Sequence, residues 1–104
     1  MAKAKTAKYP AAPGHLSAAA RAHWSRIVET YELTEAQLLI LQGVLEAFDR
    51  MKAAQATLKS DGMSFEDRFG QIKSHPLLTV ERDCRSAIVH GFKALGLDLE
   101  PLND

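Results

Sequence analysis

Cysteine is almost missing from this chain. Cys84 stands alone among 104 residues, which excludes an internal disulfide and suits a reducing compartment. Net charge is missing too. Thirteen Lys and Arg face 13 Asp and Glu, and a strongly basic nucleic-acid binder does not look like this as a monomer. No apolar run reaches the ~18 residues of a membrane span. The N-terminal lysines precede no apolar stretch, which argues against a signal peptide. Site chemistry is equally sparse. There is no glycine-rich phosphate loop. His15, His23, His75 and His90 are scattered, with no pair at metal-ligand spacing on one helix face. Asp61, Glu66 and Asp67 lack the spacing of a calcium loop. Cys84 falls on an apolar helix face, where it reads as a small hydrophobe rather than a nucleophile. The expectation is a non-enzyme without cofactor or metal.

What is present is unevenly placed. Residues 1–15 carry Lys3, Lys5 and Lys8 and no acid, within "MAKAKTAKYPAAPG", a stretch with almost nothing to bury. This reads as a flexible basic arm. Residues 98–104 form an acidic tail, "DLEPLND", with no base. Between them, residues 16–97 form one helical domain.

Helical periodicity dominates that domain. Ser17 is a good N-cap, with Leu16 before it as a staple. Leu16, Ala20, Trp24, Ile27, Val28 and Tyr31 then share one face, anchored by Trp24. Thr34 and Gln37 have capping-box spacing and open a second helix, which runs to about Ser60 with only Gly43 inside it. Such a helix is about 40 Å long at ~1.5 Å per residue. A compact domain of this size has a radius of gyration of ~13 Å, so the helix must protrude or meet another subunit. Leu38, Ile40, Leu41, Val44, Leu45 and Phe48 fill an arc of roughly 160° on it, with Leu39 outside that arc. "DGMSFEDRFGQIK" then changes period and reads as a short hairpin turning near Asp67 to Gly70, too small to stand alone in water.

A third helix opens on "HPLL" and closes on "ALGL". Pro76 has no N–H to lose at a helix start, and Gly96 supplies the left-handed residue that ends it. His75 reads as a cap rather than a catalyst. Leu77, Val80, Cys84, Ile88, Phe92 and Leu95 form its core face. Leu78, Arg82, Arg85, Val89 and Lys93 form a second stripe. Its charges read as a solvated face with a Glu81–Arg85 pair, and its Leu78 and Val89 as a protein contact. The fold class expected is mainly α: three helices, the central one long, with a β-hairpin between the second and third.

The ordered segments "APGHLS", Trp24, "LTEAQ", the hairpin, "HPLL" and "ALGL" resemble the small subunits of phage terminases, in the short helical class of tailed phages, prophages and gene-transfer agents. The likeness runs over roughly residues 12–97. It implies a non-catalytic adaptor in the cytoplasm of a bacterial host, a homo-oligomer larger than a dimer and ring-shaped. Such an adaptor engages double-stranded DNA and recruits the large terminase subunit, which holds the ATPase and nuclease. "TEAQLLILQ" is apolar and acidic where a recognition helix offers polar groups, so weak DNA binding with little sequence preference is expected.

The resemblance and the residue pattern together give these roles candidate residues. Lys3, Lys5, Lys8, Arg21 and Arg26 would contact DNA, although the lysines also fit a solubilising tail. Leu38, Leu39, Ile40, Leu41, Val44, Phe48, Leu78 and Val89 would form the subunit contact. Leu99, Glu100 and Leu102 would meet the large subunit, unless the tail's first leucines simply cap the third helix. Two other classes fit the composition: a small DNA-binding regulator or antitoxin, usually dimeric, and a structural helical oligomer without nucleic acid.

Overall fold

The computed structural model describes residues 8–97. The elements follow the order α1 (Ala18–Thr30), α2 (Glu35–Asp61), β1 (Ser64–Glu66), β2 (Ile72–Ser74) and α3 (Leu77–Leu95). The helices begin where local chemistry satisfies their free N–H groups. The Ser17 side chain accepts from the Ala20 N–H, and Thr34 and Gln37 complete a reciprocal capping box. At α3 the cap comes from His75, whose Nδ1 accepts from the Leu77 N–H at 3.1 Å. Pro76 already holds helical dihedrals, φ −58 and ψ −28. Gly96 ends α3 in the left-handed conformation, φ 75, while Leu97 N–H bonds back to the Phe92 carbonyl. A side chain is strained at that φ, so glycine is the natural stop.

α2 and α3 run antiparallel and form the spine, with α1 packed across one end. The three-helix end holds the main core: Leu16, Ala20, Trp24, Val28, Leu41, Leu45 and Leu95 are all buried. Ile27, Leu33, Leu38, Phe48, Phe92 and Leu97 close around it. Toward the β-hairpin only two helices remain, and the buried residues there are Ala54, Leu58 and Cys84. This explains one departure from the expected core face. Val80 is 38% exposed, because no third helix covers that end of α3. The radius of gyration, 17.9 Å, exceeds the ~13 Å of a compact chain of this length. The 27-residue α2 is therefore longer than the core it serves.

The strands pair antiparallel in the register Ser64↔Ser74, Phe65↔Lys73, Glu66↔Ile72. Asp67 holds the turn: its carboxylate accepts from the N–H groups of Phe69 and Gln71. Every strand residue is exposed. The hairpin is tethered at its base, where the His75 N–H bonds to the Met63 carbonyl and the His75 ring donates from Nε2 to Asp61 at 3.1 Å.

Candidate nucleic-acid and subunit interfaces

The "APGHLS" segment has a positional task that its residue types alone do not disclose. Asp49 on α2 accepts from both the backbone N–H and the hydroxyl of Ser17. One turn earlier, Glu46 accepts from His15 Nε2 at 2.7 Å and from Gln42 at 3.0 Å. The hydrogen bond from Gln42, then that from His15, hold the Glu46 carboxyl below its ordinary value. Two acids of α2 thereby pin the start of α1, where a negative charge is also favoured by the helix dipole. The Trp24 Nε1–H donates to the Pro10 carbonyl at 2.9 Å, and Ala12 packs on the core. Residues 10–15, expected to lie in the arm, are thus fastened to the domain. The arm's Lys3 and Lys5 lie outside the described residues.

The remaining expected DNA contacts do not form one patch. Lys8 lies beside the C-terminal end of α1, with its ammonium 5.8 Å from the Tyr9 ring centre. Arg21 is exposed near the start of α1 and donates to the Gly14 carbonyl. Arg26 is exposed and donates to His23. Positions 21 and 26 lie about 140° apart around a helix of 3.6 residues per turn. At Lys8, Arg21 and Arg26 one protomer therefore offers separated cations rather than one basic patch. On α3, Arg85 reaches Glu81 at 2.8 Å, the pairing expected from their spacing, and Arg82 sits 3.4 Å from Asp83. Gln55, then Arg85, hold the Glu81 carboxyl below its ordinary value.

The apolar residues assigned to the subunit contact divide sharply. Leu41 is fully buried and Val44 is 4% exposed, so both are spent inside the protomer. Leu38 and Phe48 close around its core. Most of the wide apolar arc of α2 is consumed by α1 on one flank and α3 on the other. Leu39, at 65% exposure, and Ile40, at 37%, remain outside. Leu78 is half-buried where α2 meets the hairpin, lining a crevice with Leu58 and Met63. Val89, 51% exposed, stands on the rim of a groove of about 380 Å³ formed with Ile27, Tyr31, Ile88, Phe92 and Leu97. Leu99, Glu100 and Leu102 lie outside the described residues.

Residue-type reasoning missed two features. Gly91 is a point of close approach between α2 and α3: a β-carbon there would stand 2.2 Å from Val44 Cγ2. A glycine inside an otherwise regular helix was the available signal. The other is which residues give the hairpin its expected need of cover: Met63 at 68% exposure, Phe65 at 45%, Phe69 at 74% and Ile72 at 73%. Among the described residues no group of acids, histidines and cysteine is arranged to hold a metal ion.

The deciding observation is one of family. Residues 20–100 match the family described as phage terminase, small subunit. The chain belongs to that family. The match spans α2, the hairpin, α3 and all of α1 but its first two residues; of the segments that carry the resemblance in the sequence it leaves out only "APGHLS". No curated protein and no solved structure matches the chain. Small terminase subunits are generally non-catalytic. Among the described residues no helix is long and apolar enough to cross a membrane.

Proposed function

We propose that this chain is the DNA-engaging adaptor of a packaging motor in the cytoplasm of a bacterial host. In this role it assembles into a closed oligomer larger than a dimer, holds double-stranded DNA weakly, and brings it to the large terminase subunit. The family membership of residues 20–100 carries the reading. The protomer's charge distribution supports the oligomeric part. A neutral chain with separated cations binds phosphate poorly alone, but copies arranged in a ring repeat Lys8, Arg21 and Arg26, with Lys3 and Lys5 of the arm, along one DNA path. Exposed Leu39, Ile40 and Val89 support subunit contact. The acidic tail with Leu99, Glu100 and Leu102 suits the large subunit, because its charge is repelled by phosphate and does not compete for DNA.

Deleting residues 98–104 tests the assignment of partners. The truncated protein is expected to assemble and to retain DNA at low salt, yet to lose capture of the co-expressed large subunit. Undiminished capture refutes the tail's role. Failure of the full-length chain both to hold DNA and to capture the large subunit refutes the adaptor reading itself.

A further inference from the structure

We propose that the β-hairpin of one protomer inserts, tip first, into the groove between α1 and α3 of a second copy, so that the copies join head to tail. This rests on the oligomeric reading above and names the surfaces that carry it.

The hairpin leaves four large apolar side chains, Met63, Phe65, Phe69 and Ile72, exposed to water. Its register puts Phe65 on the same face as Lys73, and Ile72 on the opposite face with Glu66. Phe69 stands at the tip, with Arg68 5.2 Å from its ring centre. Apolar side chains thus project from both faces and the end. Phe69, the most exposed of them at 74%, makes the tip an apolar knob that a concavity of side-chain size can take. With aromatic side chains burying ~150–250 Å² each, the four exposed residues offer on the order of 400 Å². That lies within the ~300–600 Å² of the largest patch on an ordinary monomer, a patch that is often functional. It is also about half the ~800 Å² that each partner contributes to a standard interface. The hairpin therefore supplies the apolar centre of a contact, with Glu66, Arg68 and Lys73 left for its polar rim.

The same chain carries a matching concavity. Ile27 and Tyr31 of α1, Ile88, Val89 and Phe92 of α3, and Leu97 beyond it line an apolar groove of about 380 Å³. A phenylalanine side chain fits within that volume. The groove lies at the three-helix end, remote from the hairpin. Leu77 to Val89 is ~18 Å of helix at ~1.5 Å per residue. The hairpin's base is held by the His75 bonds to Met63, Asp61 and Leu77, so it does not turn back into its own groove. The occupant is a second copy. Knob and groove are different surfaces of one chain, so the contact is heterologous, and repetition of a heterologous contact closes into a ring when the rotation permits.

Two substitutions separate the surfaces. Phe69→Asp removes the knob and Val89→Asp spoils the groove. Both side chains are at least half exposed, so circular dichroism is expected to show unchanged helix content. In light scattering at micromolar concentration the wild-type chain is expected to exceed a dimer, and each variant alone to run as a monomer. An equimolar mixture then has one intact knob facing one intact groove, and is expected to form a dimer and nothing larger. Three outcomes overturn the inference while leaving an oligomeric adaptor standing: a Phe69→Asp protein of wild-type size; a Val89→Asp protein of wild-type size that loses the large subunit instead, which gives the groove to that partner; and a wild-type species that stops at a dimer, which indicates reciprocal exchange of hairpins. A wild-type monomer overturns the oligomeric reading as well.

Discussion

Gly91 and Gly43 invite the same substitution with opposite results. Both lie inside helices, where alanine is favoured over glycine by ~0.8–1.0 kcal/mol. At Gly43 an added methyl meets nothing within 4 Å, so Gly43→Ala is expected to stabilise the protein by about that amount. At Gly91 the β-carbon would lie 2.2 Å from Val44 Cγ2, where ordinary contact begins at 3.4 Å. α3 must withdraw by more than 1 Å, or Val44 must leave its place between the helices, where it is 4% exposed. Forcing a methyl into a packed seam costs about 1–3 kcal/mol, which offsets the helical gain and reverses its sign or nearly so. The two variants are expected to differ by roughly 1–3 kcal/mol in urea unfolding at one fixed protomer concentration, since assembly makes stability concentration-dependent. Val44→Ala supplies the control. It destabilises the parent by leaving a cavity, but it removes the clashing methyl, so the double variant is expected to be more stable than the two single costs predict. If Gly91→Ala is as stable as Gly43→Ala, or if the double variant is simply additive, the close approach of α2 and α3 at Gly91 is refuted.

Acid should loosen the protein through two carboxylates. Glu46 and Glu81 are held below the ordinary 4.5, Glu46 mainly by Gln42 and Glu81 mainly by Gln55. Their contribution is complete above about pH 4.5 and is lost as the pH falls through their lower folded-state values. Urea midpoints from pH 6 to 3 are expected to fall less steeply in Glu46→Gln than in the parent, and equal slopes would contradict the assignment. Ser17→Ala removes both the cap on Ala20 and a ligand of Asp49, and is expected to lower stability by about 1–2 kcal/mol, with Ser17→Thr largely restoring it. Replacing Lys3, Lys5 and Lys8 together with alanine is expected to weaken retention of all duplexes alike and to flatten its salt dependence. Unchanged binding at low salt makes the arm a solubilising segment.

Local chemistry was legible from the sequence because it is written within a few residues. The caps at Ser17 and Thr34, the Pro76 start, the Gly96 stop, the turn at Asp67 and the Glu81–Arg85 pair each depend on neighbours less than a helical turn or two away. Periodicity likewise disclosed three helices and most of their inward faces, because an apolar stripe has one physical use in water. What no stripe discloses is how many helices cover it. Only the tertiary structure decided that α1 reaches one end of the spine and not the other, which buries Leu41 among three helices and leaves Val80 partly bare. The same holds for contacts between distant positions. Asp49 and Glu46 reach Ser17 and His15 across more than 30 residues, and Gly91 meets Val44 across the α2–α3 seam. Periodicity encodes a direction of burial, whereas a partner is chosen by the packing of whole helices, and that choice appears only once they are assembled.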